Sequence, residues 1–205
     1  NPVPVSAGTD GITDSECTTT GTAEPASDEV VPDANQYKYQ KDELAAFCHF
    51  GPNTFNEIEW GEHYGNKAPN EIFTLKDNFD ADTLVSTLKN AGFKKIIVTA
   101  KHHDGFCLFD SKLTDYKATN TKAGRDLVRE FVDACREEGL KVGLYFSIID
   151  WHHPDFPKYG DRQHPMRNNV AYKDEKIDFD RYLDYMHGQV KELVTGYGKL
   201  DLLWF

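Results

Sequence analysis

Cysteine is scarce in this chain. Cys17, Cys48, Cys107 and Cys135 are spread over 205 residues, and no two form a CxxC pair. That spacing argues against zinc ribbons and thioredoxin-type dithiol chemistry. The last three sit among apolar neighbours and are expected to be buried free thiols. Positive charge is also short: 34 acidic residues face 23 basic ones, for a formal net charge of -11. No basic stripe is present, so no nucleic-acid partner is expected. No apolar run approaches the roughly 20 residues that span a bilayer, so no membrane partner is expected either. Neither a GxGxxG turn nor an HExxH pair occurs. Residues 1–35 contain no Leu, Phe, Trp or Tyr. Such a stretch cannot bury enough surface to offset its ordering entropy, and it reads as a polar arm or linker.

From Tyr37 onward the composition changes, and residues 36–205 read as the folded part. Leu44 to Gly51 is a short apolar run with His49 near its end, the first expected strand. A long polar and aromatic loop follows, with Phe55, Glu57, Glu59, Trp60, His63 and Tyr64 and no clear period as far as Phe79. Asp80 to Ala91 predicts a capped helix with Leu84, Val85, Leu88 and Ala91 on one face, ended by Gly92. A strand over Lys95–Ala100 follows. The next helix is expected from about Arg125 to Glu138, then a strand over Leu140–Ser147. A third helix is expected from about Asp178 to Thr195, burying Phe179, Tyr182, Leu183, Met186, Val190, Leu193 and Val194. A fourth strand begins at Leu200.

Strand and helix in strict alternation predict parallel βαβ units. A doubly wound sheet would carry a glycine-rich phosphate turn after its first strand, and Gly51-Pro52-Asn53-Thr54 is not one. A (β/α)8 barrel places its active site at the C-terminal strand ends. Here His49 ends strand one, His102 and His103 end strand two, Tyr145 and Trp151 lie at the end of strand three, and Trp204 ends strand four. The expectation is an α/β protein: the first four units of a (β/α)8 barrel, truncated in strand four, since a full barrel takes roughly 250 residues. Its missing C-terminal half is then an expected partner.

The stretch Ile96 to Phe106, with Lys101-His102-His103-Asp104-Gly105 at its end, delivers polar groups from an apolar strand. Three chemistries compete for it. His49, His102, His103 and Asp104 could converge on a metal ion, although adjacent histidines rarely reach one ion together. The histidines could instead serve only to bond loop carbonyls. The third option is a sugar site, where neutral histidines and carboxylates take hydroxyls and an indole or phenol covers the ring face. Glu59, Trp60, His102, His103, Tyr145 and Trp151 supply both kinds of group. Glycoside hydrolysis needs two carboxyl groups, and Asp104, Asp110, Asp150 and Glu59 are candidates on spacing alone.

Several motifs together resemble glycoside hydrolase family 29, the α-L-fucosidases. They are His49-Phe50-Gly51, Glu59-Trp60-Gly61, Thr99 through Phe106, Gly139 through Tyr145, and Leu202-Leu203-Trp204-Phe205, in order from about Tyr37. The resemblance implies a retaining hydrolase that needs no cofactor or metal and acts on fucosylated glycans. It implies that His49, Glu59, Trp60, His102 and His103 hold the fucose hydroxyls, that Tyr145 and Trp204 are wall residues, and that Asp104 orients the His-His loop. The family's nucleophile would fall just after Phe205, and its acid/base in later strands. No catalytic residue is therefore assigned within the chain, which is expected to be inactive alone. A non-catalytic fucose-binding module and a metal-dependent hydrolase are the alternatives. The Phe50–Phe55 loop looks like the branch selective for α-1,3/1,4-fucosides, and the Ile148–Pro154 loop like the broader branch. The absent initiator Met and the polar arm give the expectation of an exported protein.

Overall fold

A computed structural model of the protein describes residues 31–58, 68–75 and 79–205. Its centre is a sheet of four strands in sequence order: β1 (Ala45–Cys48), β2 (Lys95–Lys101), β3 (Lys141–Phe146) and β4 (Leu202–Trp204). All three pairings are parallel, with Ala45 opposite Lys95, Lys95 opposite Lys141 and Gly143 opposite Leu202. Parallel strands in sequence order form the first four units of a (β/α)8 barrel; a doubly wound sheet would reverse its order at a switch point.

Helix α1 (Ala34–Gln40) precedes the sheet, and two short helices, α2 (Pro52–Asn56) and α3 (Pro69–Ile72), follow β1. The crossovers are α4 (Ala81–Asn90), α5 (Leu127–Glu137) and α6 (Phe179–Gly196). Each crossover helix starts at an aspartate whose carboxylate accepts from first-turn N–H groups: Asp80 from Asp82 and Thr83, Asp126 from Arg129, Asp178 from Arg181. Such caps satisfy donors that the helix itself cannot. Gly92 and Gly139, at φ +95° and +69°, turn the chain out of α4 and α5 into the next strand.

One sheet face packs on these helices. Ala46, Ile96, Val98, Ala100, Val142, Leu144 and Phe146 join Val85, Leu127, Val128, Phe131, Val132, Cys135 and Leu193 in a single buried core. Each large side chain buried there contributes about 1.5–3 kcal/mol. The other face is concave and carries Phe47, Tyr145, Leu202 and Trp204. The three described thiols are free; Cys107 and Cys135 are buried and Cys48 is half-buried.

Several expectations need correcting. The segment after β1 holds α2 and α3, each opened by a proline in its first turn, where the missing N–H is harmless. Helix α1 was not anticipated, although Asp33 and Gln36 form a reciprocal capping box. On α6, Phe179 and Val194 are 44% and 48% exposed, and the buried positions are Tyr182, Gln189 and Leu193. Gln189 enters the core because buried polar groups from β2 and its loop are there to bond it.

At the N-terminal end of the barrel, Asp42 ties α1 to the sheet. It lies 3.1 Å from the Lys95 ammonium and also bonds Lys141, while Lys95 stands 3.6 Å from the centre of the Tyr39 ring. Burial opposes the charge on Asp42, but the hydrogen bonds and charges of Lys141 and Lys95 hold its carboxyl below the usual value. A depressed carboxyl contributes stability above its unfolded pKa and loses it as pH falls through the folded one. Asp42→Asn is therefore expected to cost about 2–3 kcal/mol at pH 7. Urea denaturation at pH 7 and pH 3 checks this, because the gap to wild type should narrow as pH falls below the unfolded carboxyl value.

Candidate functional site

A β-bulge sets the site. On β2, Thr99 faces the concave side and Ala100 the helices. Strict alternation would turn Lys101 inward. Instead the register shifts between Thr99 and Lys101, so that Lys101 lies opposite Phe146. Its ammonium sits on the helix side, 4.4 Å from the centre of the Phe146 ring. His102 is thereby returned to the concave side, where bulges commonly re-aim functional side chains.

Three imidazoles gather at these strand tips. The His49 and His102 ring centres are 4.6 Å apart and nearly perpendicular; those of His102 and His103 are 4.3 Å apart. His102 also lies 5.9 Å from the Tyr145 ring. Threonine and serine hold the outer two: His49 Nδ1 is 2.8 Å from Thr99 Oγ1, and His103 Nδ1 is 2.6 Å from Ser147 Oγ. Burial lowers the pKa of all three. His102 is pushed down to about 3 by burial, then by His103 and His49. Burial acts on His49, and burial with neighbouring His49 acts on His103. Neutral at pH 7, each ring has one donor and one acceptor nitrogen; His49 and His103 engage the protein through Nδ1 and leave Nε2 for a sugar hydroxyl.

His49 and His102 open onto a cavity of about 500 Å³ that α2 and its neighbours complete with Asn53, Thr54 and Glu57. Asp104 lines the same cavity, with Oδ1 accepting from the Phe106 N–H at 2.9 Å. Burial raises its carboxyl to about 7, the Phe106 bond opposing and the nearby Asp150 charge reinforcing the rise. Beside the histidines an aromatic wall runs along the concave face. Phe47 contacts His49 at 6.0 Å, Tyr145 at 5.7 Å and Trp204 at 5.6 Å between ring centres.

The structure thus brings together four of the anticipated residues, His49, His102, His103 and Tyr145. Trp204 stands one ring further along, joined through Phe47. Glu59 and Trp60 lie outside the described residues, as do His63 and Tyr64. Trp151, one of the groups expected to cover a sugar's ring face, is instead 2% exposed and packs with Phe156 and Tyr182 in a second small core. Its backbone N–H donates to the His103 carbonyl at 2.8 Å, so it supports the His-His loop from behind. Two candidate carboxylates are committed elsewhere: Asp150 to buried Lys101 at 3.0 Å, and Asp110 to Lys112 and to Lys117 at 3.1 Å. Among the described residues, no group of three or more His, Cys, Asp or Glu side chains is arranged to hold a metal ion. Sequence reasoning missed Phe47, Thr99 and Ser147. The period-two rule places Phe47 on the same face as His49, so that signal was available.

Comparison with known proteins agrees with this geometry. The alpha-L-fucosidase family model matches residues 35–205. Putative alpha-L-fucosidase 1 of Oryza sativa subsp. japonica is 40% identical over 177 residues, 85% of this chain and 30% of that protein. Alpha-L-fucosidase 1 of Arabidopsis thaliana is 34% identical over the same shares. The chain thus spans about a third of the length of these relatives. Among solved structures, alpha-L-fucosidase isoenzyme 1 from Paenibacillus thiaminolyticus superposes with a TM-score of 0.76 at 53% identity, covering 84% of this chain and 42% of that one. A Ruminococcus gnavus GH29 fucosidase in complex with fucose gives a TM-score of 0.66 at 51% identity over 85% of this chain and 34% of that one. By the family match and these relatives, the chain belongs to the alpha-L-fucosidase family, the glycoside hydrolases of family GH29.

Proposed function

We propose that this chain forms the fucose-recognising side of a retaining α-L-fucosidase that releases terminal α-L-fucosyl groups from glycans. The observation that carries the reading is the trio of neutral imidazoles in mutual ring contact at adjacent strand tips, beside the Phe47–Tyr145–Trp204 wall. Fucose offers hydroxyls in several directions and one apolar face, and the trio and the wall match these in turn. Glu59 and Trp60 are proposed to complete the hydroxyl contacts.

Breaking the glycosidic bond takes a nucleophilic carboxylate and a second carboxyl group acting as acid and then base. Asp110 and Asp150 are held in ion pairs, and Asp104 is buried and tied to its own loop through the Phe106 N–H. By resemblance to the family, both catalytic carboxylates are assigned outside these residues, and the 205-residue chain alone is expected to bind fucose without turning over a fucoside. Incubation with an aryl α-L-fucoside tests this; release of aryl alcohol above a buffer control refutes it. For the enzyme containing this chain, retention predicts that NMR detects α-L-fucose as the first product; β-L-fucose first would overturn the retaining mechanism.

His102→Ala leaves its hydroxyl partners unsatisfied in a partly desolvated pocket and is expected to weaken fucose binding about tenfold to a hundredfold. Titration by isothermal calorimetry measures this. Unchanged affinity would remove His102 from the site.

A further inference from the structure

The serine behind His103 has a hydrogen-bond arrangement with one consistent solution. Ser147 is 1% exposed and sits just past β3. Its Oγ lies 2.8 Å from the Ile149 carbonyl oxygen, 3.1 Å from the Ile149 N–H and 2.6 Å from His103 Nδ1. A hydroxyl has one proton to give and two lone pairs that accept. The Ile149 carbonyl can only accept, so it takes the Ser147 proton. The Ile149 amide can only donate, so it fills one lone pair. The remaining lone pair faces His103 Nδ1, which must then carry a proton and donate it. The Tyr145 phenol also interacts with this serine, but among the described residues no hydrogen bond of normal length joins the two, so it takes neither the proton nor a lone pair of Ser147 Oγ.

We propose that Ser147 is a positioning residue that locks His103 as the Nδ1–H tautomer, leaving the Nε2 lone pair to accept a proton from a sugar hydroxyl. The nature of the ligand rests on the fucose reading above; the tautomer does not. In a neutral imidazole the hydrogen bond at one nitrogen fixes what the other can do. His103 stays neutral because burial and neighbouring His49 lower its pKa. Among the described residues its hydrogen bond is made at Nδ1, so the character of Nε2 is presented to the ligand. The site then demands a hydroxyl donor at this position: a methyl ether there offers no proton and meets a bare lone pair. A site built to bond a hydroxyl discriminates strongly against an analogue that cannot.

Long-range ¹H–¹⁵N correlation on histidine-labelled chain at pH 7.5 decides the tautomer without any variant. The expected result is a protonated Nδ1 and a bare Nε2 on His103. A protonated Nε2 in the wild type overturns the proposal. In Ser147→Ala the lock is removed, and the spectrum is expected to move toward the Nε2–H form; an unchanged Nδ1–H population would show that something other than Ser147 sets it, and would equally overturn the proposal. Titration with methyl α-L-fucoside gives the ligand arm. Hydrogen bonding should move the Nε2 resonance toward the protonated range, and one of the monomethyl ethers of that fucoside should bind at least tenfold more weakly to the wild type, a penalty that shrinks in Ser147→Ala. If the fucoside perturbs no resonance of His49, His102 or His103, the fucose reading fails; the tautomer is still judged by the ligand-free spectrum.

Discussion

Lys101→Met is expected to lower folding stability by about 3–5 kcal/mol and to abolish fucose binding at the temperature where the wild type still binds. Lys101 and Asp150 are both essentially inaccessible to solvent, and their charged atoms are 3.0 Å apart. Removing the cation leaves a carboxylate buried with no counter-charge, which costs more than the intact pair contributes. Burial pushes the Asp150 carboxyl up, but the Lys101 charge and hydrogen bond, with the His153 N–H, more than offset it and keep the group below its usual value. The loss reaches the site because Asp150 organises its rear wall. Oδ1 accepts from the N–H groups of His152 and His153 at 3.1 and 2.9 Å. The next residue, Trp151, bonds the His103 carbonyl. Gly105 closes the same contact from the other loop: at φ +78°, a Cβ there would fall 2.3 Å from Asp150 Oδ1. Gly105→Ala is therefore expected to reproduce the Lys101→Met defect. Chemical denaturation and calorimetric fucose titration, run on both variants, check the pair. A Lys101→Met protein within 1 kcal/mol of wild type would show that the pair has little part in holding the loops.

The split between what was readable from sequence and what was not follows range of interaction. The βαβ order, the aspartate cap of α4 and the glycine exits are set by neighbours a few residues apart, and their residue types announce them. The Asp126 cap of α5 was not anticipated, and that helix was expected to start at about Arg125. His49 and His102 were placed by where their strands end. The fates of Trp151, Asp150 and Gln189 were not legible, because each depends on a partner 48 to 88 positions away: His103 for the first, Lys101 for the other two. The bulge at Lys101 was hidden for the same reason. Nothing in Ile96–Lys101 marks it, and only the β3 register shows that Lys101 turns toward α6 while His102 turns inward. Polar residues beside an active strand thus divided into those lining the site and those holding it, and spacing alone could not separate them.

Asp104→Asn is expected to make the protein more stable above neutrality and to remove a pH dependence that the histidines do not supply. With its carboxyl at about 7, the folded chain keeps a proton on Asp104 that the unfolded chain releases near pH 4. The folded state therefore binds more protons across that window, and stability falls as pH rises from about 4 to 7, by up to about 4 kcal/mol, and is level beyond. Asparagine is the neutral isostere. It keeps an oxygen for the Phe106 N–H and has no charge to desolvate, so the variant should gain a few kcal/mol over wild type at pH 8 and nothing at pH 4. The same proton bears on the site, because Asp104 lines the cavity with His49 and His102. A sugar that excludes water there further disfavours the ionised carboxyl, so wild-type fucose affinity should decline as pH rises through 7. Burial shifts His49, His102 and His103 all downward, away from neutrality, so the decline is assigned to Asp104 and not to them. Urea denaturation at pH 4 and 8, with fucose titrations from pH 6 to 8.5, separates the possibilities. A decline that persists in Asp104→Asn would assign the titrating group elsewhere. A decline absent from the variant alone makes the buried acid, and not the imidazoles around it, the group through which this pocket senses pH near neutrality.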